Sequence, residues 1–467
     1  MVTTRHEELI TMLALILVCV LSFLVLVWHS RLVGITLGLP IAYLFAAHFQ
    51  YLPGAFAHAV SGDFFVDSSA TQIGLEFTTI GTICFVTGVI LAQRVMRGAV
   101  VKSDTPWLQQ GGMLRFAVYC LWGGWLVVYV ASFLDRIPSL GAAIDQGALV
   151  WIMGVLIGFL TAVRQRRTGP VFLWLAALSV YPLYVLIWGG FLSFGSTSIF
   201  VVMSALVVTS KSHLRAYTVL ALFSLLSFHV FLSYIQKRSD FRETARQGAG
   251  LEERVARAAR MFTDLEWFNP SNPGQLNGLD MRLNQSQFVG MAFANIKSGH
   301  VDFLHGRSVW EGLQAMVPRM LWPDKPHFAG SSQIIREVSG FAVNETTTYG
   351  VGQVLELYAN FGVSGIVFGL LLFGFAYGWI DRKVVVTLQN GDLGGVFVWF
   401  LMGVAILTPL GSIAEVVGNT SAAAVAAYGW RYAWSVVGAN TPAKRPRRKR
   451  VAGNVRQNDE VAPVESK

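Results

Sequence analysis

Long apolar runs set the pattern of this chain. Residues 9–28, 32–52, 73–92, 114–133, 148–163, 171–191, 217–235, 363–380 and 394–414 each approach the roughly 20 mostly apolar residues that a helix needs to cross a bilayer's hydrocarbon core. A short run at 198–209 and a weaker one at 416–434 bring the expected number to about eleven. The first run is too long for a signal peptide, has no small-residue cleavage site after it, and is expected to remain as a span. The pattern predicts an all-α, polytopic transmembrane bundle.

Basic residues in short loops orient such a bundle, because they stay on the cytoplasmic side. Arg94, Arg97 and Lys102 follow the third run, Arg164, Arg166 and Arg167 the fifth, and Lys211 and Arg215 the seventh. Those loops are expected inside, together with Arg382, Lys383 and the tail at 444–450. The loops carrying Asp63 and Asp67, and then Asp135, Arg136 and Asp145, are expected outside. Alternation also places outside the one long connection, about 120 residues between Ile235 and Val363. The expected division is an N-terminal bundle at 1–235, a large outer cap at 236–362, C-terminal spans at 363–437, and a cytoplasmic tail at 438–467.

Helical spacing continues through the cap. Leu251, Val255, Ala258, Phe262 and Leu265 fall on one face, with Glu252 and Glu253 in the first turn, which predicts an amphipathic helix on the membrane surface. Ser308 and Glu311 have capping-box spacing before Val309, Trp310 and Leu313, and Pro318 is expected to end that helix. Gly299 and Gly340 are expected stops for two others.

Composition agrees with the pattern and corrects one impression. The 467 residues are 54% hydrophobic and 13% charged, about half the charge of a usual soluble protein. The net charge of +9 alone would suit a nucleic-acid partner, but six basic residues sit within 444–450. That cluster reads as a disordered cytoplasmic anchor for anionic headgroups, so no nucleic acid is implied. The three cysteines, Cys19, Cys84 and Cys120, lie in apolar runs and read as small buried hydrophobes.

Candidate chemistry concentrates in the cap and at the start of the ninth span. Arg319-Met-Leu-Trp-Pro-Asp-Lys-Pro326 holds an arginine and a lysine beside two prolines, with Trp322 as anchor, a suitable arrangement for a diphosphate or carboxylate ligand. The alternative is that Arg319 and Lys325 are solvated or paired with Asp324. Glu356, Tyr358 and Asn360 open the ninth span, where a carboxylate at the outer mouth suits activation of an attacking hydroxyl. The competing reading is an interfacial anchor neutralised by a loop arginine. His300 and His305 flank Asp302 without a convincing third ligand, so no metal is expected. Gly365, Gly369, Gly374 and Gly378 read as close helix packing, and no phosphate loop occurs. His48 and His229 read as hydrogen-bonded structural histidines.

These residues carry a resemblance. Pro318-Arg319, then Trp322-Pro323-Asp324-Lys325-Pro326, then Glu356-Leu-Tyr-Ala-Asn360-Phe-Gly362 entering a glycine-rich span, resembles bacterial oligosaccharide repeat-unit polymerases of the Wzy type, the O-antigen polymerase family. Those proteins share the plan of many spans and one large periplasmic loop in the second half. The resemblance implies a cofactor-free glycosyltransferase of the inner membrane. It would transfer a growing glycan from one polyprenyl diphosphate carrier to an incoming lipid-linked repeat unit, alongside a flippase and a chain-length regulator. In that chemistry Arg282, Arg319 and Lys325 are candidates to stabilise the leaving diphosphate, with Arg238 and Arg336 in reserve. Glu356, or second His305, would activate the acceptor, and Trp310, Trp322 and Tyr358 would stack on sugars.

Three other readings stay open. A ligase moving finished glycan onto lipid A core or a protein would use a similar loop. A lipid-linked oligosaccharide flippase or polysaccharide transporter usually shows related halves and midplane charges, of which Glu76 and Glu415 are the nearest here. A scaffold role in polysaccharide export is the fourth.

Overall fold

A computed structural model describes residues 2–34, 36–61, 64–65, 68–96, 112–134, 140–190, 192–246, 250–317, 321–326, 330–341 and 349–439. Among these the chain is helical, without strands. In chain order the helices are α1 (Val2–Val33), α2 (Leu39–Val60), α3 (Ser69–Val95), α4 (Met113–Leu134), α5 (Leu140–Ala148), α6 (Val150–Arg164), α7 (Thr168–Gly189), α8 (Ser193–Thr209) and α9 (His213–Arg246). Five shorter ones follow: α10 (Leu251–Thr263), α11 (Pro273–Leu283), α12 (Gln285–Lys297), α13 (Arg307–Ala315) and α14 (Ser331–Ser339). The chain closes with α15 (Gln353–Gln389), α16 (Leu393–Ala405) and α17 (Ile413–Ala439).

Most of each apolar run of the sequence is helical. Seven segments are long and apolar enough to cross a membrane: His6–Val33, Ser69–Val95, Met113–Val130, Gly141–Arg164, Thr168–Gly189, His213–Phe241 and Gln353–Gln389. The parts of α8 and α16 that are apolar, Gly195–Thr209 and Leu393–Ala405, are shorter. The boundary expected at 394–414 is wrong in a specific way. Helix α16 stops at Ala405, residues 406–412 leave helical geometry, and Ala414 belongs to α17.

Helix α3 is the axis of the packing, flanked by α15, α12 and α1. Two of its glycines allow backbones to meet. A Cβ on Gly88 would strike the Leu371 carbonyl of α15, and one on Gly374 would strike the Phe85 carbonyl in return. Gly74 lies against the Ser286 carbonyl of α12, and Gly290 of α12 against that of Ala70. Small residues serve helix association where lipid gives no hydrophobic drive between helices, and here they fix the crossings from both sides. The main apolar cluster runs unbroken from Leu26 and Phe85 to Val289, Ile335 and Val351, so cap and bundle share one core.

The end of the bundle opposite the cap is tied by charged groups. Asp381, buried in α15, accepts from the Thr36 hydroxyl and from the amides of Leu37 (3.2 Å) and Leu39 (3.1 Å), and so caps α2. Arg382 was expected in a loop. It is instead buried, and donates to the Met96 carbonyl at the end of α3 because α15 runs on two turns past the apolar stretch. Lys383 lies over the Trp379 and Trp399 rings. Arg31 donates to the Val207 carbonyl and to His213, which gathers the ends of α1 and α8 with the start of α9.

In the cap, Gly299 and Gly340 end α12 and α14 in left-handed conformation, as expected. Helix α10 stops at Thr263, before Leu265. It turns Ala258 and Met261 inward and leaves Leu251, Val255 and Phe262 exposed, the face expected of an interfacial helix. The capping box at Ser308 does not form. Gly306 precedes α13 in left-handed geometry, and Ser308 is buried inside the first turn.

Candidate functional site

Two glycines isolate the first part of α15. Gly352 (φ 69°, ψ 151°) precedes it, and Gly362 (φ 64°, ψ −150°) breaks it before the long apolar stretch, in a backbone region essentially reserved for glycine. Gly365, just past the break, lies against the Leu357 carbonyl. The result is a half-helix, residues 353–361, of which 353–360 are buried.

Gln353, Glu356 and Asn360, spaced at three and four residues, share one face of it. The Gln353 carbonyl oxygen accepts from the Tyr43 hydroxyl at 2.6 Å, and its amide donates to the carbonyls of Thr408 (3.0 Å) and Gly411 (2.7 Å). Glu356 Oε2 accepts from the Ile413 amide at 2.6 Å. Asn360 Nδ2 donates to Ser308 Oγ at 2.7 Å and to the Glu356 carbonyl at 2.8 Å. Three side chains therefore hold the 406–412 segment, the start of α17 and the start of α13.

Helix α17 opens with a capping box of its own. Ser412 Oγ accepts from the Glu415 amide at 3.1 Å, and Glu415 Oε2 accepts from the Ser412 amide at 3.0 Å. The other Glu415 oxygen accepts from Ser331 of α14 at 3.0 Å. The positive end of α17 thus faces Glu356, a favourable place for a carboxylate. Glu356 is 0% exposed and Asn360 1%; the Ser308 hydroxyl, which accepts from Asn360, lies within bonding reach of the Glu356 carboxylate, and Asn360 Oδ1 has no hydrogen-bond partner. A buried acceptor left open costs about 1–3 kcal/mol.

The other residues singled out from the sequence divide. Tyr358 points away from Glu356, into an aromatic group with Phe77 (centroids 5.0 Å apart), Phe293 and Phe303. Arg282 lies 5.2 Å over the Tyr349 ring, a few residues before the half-helix. Burial, then the neighbouring charge of Arg238, lowers its basicity from the usual value. This pairing of two arginines beside two tyrosines, Tyr349 and Tyr234, is the strongest cationic locus the structure assembles from the predicted set.

Lys325 is used differently from expectation, since its amine donates to the carbonyls of Ala315 and Val317, both at 2.9 Å, and closes the end of α13. Trp322 is half-buried beside it, while Arg336 and Trp310 are exposed. His305 is exposed in left-handed geometry next to Phe303. Arg319 lies outside the described residues, as do Asp63, Asp67, Arg97, Lys102, Asp135, Arg136, Pro318 and the 444–450 cluster. Among the described residues no group of three or more His, Cys, Asp or Glu converges as metal ligands. His229 bonds to the Leu225 carbonyl within its own helix, as a structural histidine does.

Sequence reasoning missed two features. Ser412-x-x-Glu415 is a legible capping signature, and it marks the helix start that receives Glu356. The second is a polar cluster of His58, Ser68, Asp280 and Asn284 between α2, α3 and α11. No motif spacing could reveal it, because its two halves, His58 with Ser68 and Asp280 with Asn284, lie more than 200 residues apart.

The model of a protein family described as a domain of unknown function (DUF8712) matches residues 41–403. No curated protein and no solved structure matches the chain.

Proposed function

We propose, for a chain that belongs to the DUF8712 family, that it is an integral-membrane glycosyltransferase that polymerises polyprenyl diphosphate-linked oligosaccharide repeat units at the outer face of a bacterial inner membrane. The observation that carries this reading is Glu356: a fully buried carboxylate on a half-helix, held by the Ile413 amide and beside the Ser308 hydroxyl. A fixed carboxylate of this kind suits removal of a proton from an attacking sugar hydroxyl. Arg282 and Arg238 supply positive charge for the departing diphosphate, with Arg319 as a further candidate. Lys325 becomes a structural residue in this reading, and Tyr358 a packing residue under Glu356. Eleven crossings, with the cap outside and the basic ends in the cytoplasm, fit the alternation of charged loops.

The test is the pattern of glycan on the carrier and on lipopolysaccharide or capsule in a strain lacking the gene, complemented with wild type or Glu356→Gln. A polymerase predicts single repeat units in the deletion, restored to polymer by wild type alone. Long polymer accumulating on the carrier identifies a ligase and rejects the proposal.

A second reading draws on the break at Gly362 and the non-helical 406–412 segment, since interrupted helices also build transport sites. Translocation of labelled lipid-linked oligosaccharide in liposomes, without chain extension, would favour a flippase.

A further inference from the structure

At the cap end of the bundle, where α2 hands over to α3, five polar side chains form one hydrogen-bonded chain. Ser68 Oγ is 3.0 Å from His58 Nδ1, and His58 Nε2 is 2.8 Å from Asp280 Oδ1. Asn284 Nδ2 donates to the same Asp280 oxygen at 2.7 Å and to Thr71 Oγ1 at 2.9 Å. The His58 ring lies flat on Phe65, with centroids 3.8 Å apart and planes within 2°. A carboxylate only accepts, so Asp280 fixes the proton on Nε2. That leaves the Nδ1 lone pair to accept from the Ser68 hydroxyl.

Ser68 occupies the N-cap of α3, where a serine normally turns its oxygen back onto its own helix. Here it makes no such bond and turns to His58. Ser68 therefore does not cap the first turn of α3 with its side chain. Serine, histidine and carboxylate in hydrogen-bonded sequence, next to a helix start that favours negative charge, are the parts of an acyl-transfer centre. Ser68 is partly exposed, whereas His58 is buried, so the base is shielded.

We infer that Ser68, His58 and Asp280 form a serine-hydrolase-type site acting on a carboxylic ester at the cap end of the bundle. Exposed Phe64 and half-buried Phe65 offer the apolar wall for the acyl group. Ser68 Oγ bonds to the ester carbonyl carbon as its proton passes to His58 Nδ1, and Asp280 stabilises the imidazolium through Nε2. The bond from carbonyl carbon to alkoxy oxygen then breaks, and His58 returns the proton to the departing alcohol. Water attacks the acyl-Ser68 carbonyl and gives its proton to Nδ1, from which it returns to Ser68 Oγ as the carboxylic acid leaves. This chemistry does not depend on Glu356 or on the glycan-transfer reading.

The experiment treats full-length protein in detergent micelles with a fluorophosphonate probe and maps the adduct by peptide mass spectrometry. Folded wild type is expected to be labelled at Ser68. It should also hydrolyse p-nitrophenyl butyrate, with the rate falling roughly 100-fold in Ser68→Ala and in His58→Ala. Folded wild-type protein that leaves Ser68 unlabelled overturns the inference, even if the variants fail to fold. An unchanged hydrolysis rate in Ser68→Ala overturns it equally.

Discussion

Glu356 Oε2 accepts the Ile413 amide at 2.6 Å, joining the broken half of α15 to the first residue of α17 across 57 positions of sequence. The bond fixes the carboxylate's orientation, with the Ser308 hydroxyl beside it. Orientation is what a general base needs first, since reach precedes basicity. The same bond makes Glu356 part of the seam between the C-terminal helices, so its catalytic and structural contributions must be separated by the choice of substitution.

Glu356→Gln keeps the shape and an acceptor for Ile413 but removes the base. It is expected to leave protein abundance near wild type and to lower polymer synthesis by roughly 100-fold or more. Glu356→Ala should also lose folded protein, because it strips the buried Ile413 amide of its acceptor. Immunoblotting beside a glycan gel separates the two effects.

Gly362 holds a conformation that a Cβ penalises. Gly362→Ala is expected to destabilise the protein by about 2 kcal/mol, read as a lower melting temperature in detergent. Gly429 has nothing within 4 Å of a built Cβ, so Gly429→Ala should melt with wild type.

Other glycines of α15 show how much of the packing was legible in the sequence. Hydropathy located the long apolar helices of the bundle but neither α5 nor the break at 406–412, and the spacing of Gly374 and Gly378 foretold a close crossing, which is made against Phe85, Val89 and Ala92 of α3. Single residues in the candidate site were visible too, Glu356 and Asn360 by their i and i+4 spacing before an apolar run. Their partners were not. Tyr43, Ser308 and Ile413 come from three remote segments, and only tertiary packing brings them to one face. For Lys325 the sequence left two uses open, because a lysine beside prolines reads the same whether it meets a ligand or closes a helix. Its use of the Ala315 and Val317 carbonyls depends on how the chain turns back after α13.

Substituting valine at Gly88 or Gly374 should separate α3 from α15, since each added side chain meets partner backbone and neither neighbour can yield as a side-chain tip would. Loss of monodisperse protein in detergent size-exclusion chromatography is the expected outcome for both.

Asp381 caps α2 from the far end of α15. Asp381→Ala leaves the Leu37 and Leu39 amides without their acceptor and is expected to cost about 3 kcal/mol. Asp381→Asn, which retains one carbonyl oxygen, should cost less, and the order of the two melting temperatures checks the assignment.

The most direct test of the central claim uses purified protein in proteoliposomes supplied with polyprenyl diphosphate-linked repeat units and no other protein. Products are resolved on a gel and by mass spectrometry. The account predicts a ladder of extended lipid-linked glycan with release of polyprenyl diphosphate, absent with folded Glu356→Gln. Unextended substrate with folded wild type, or an undiminished ladder with Glu356→Gln, would contradict it.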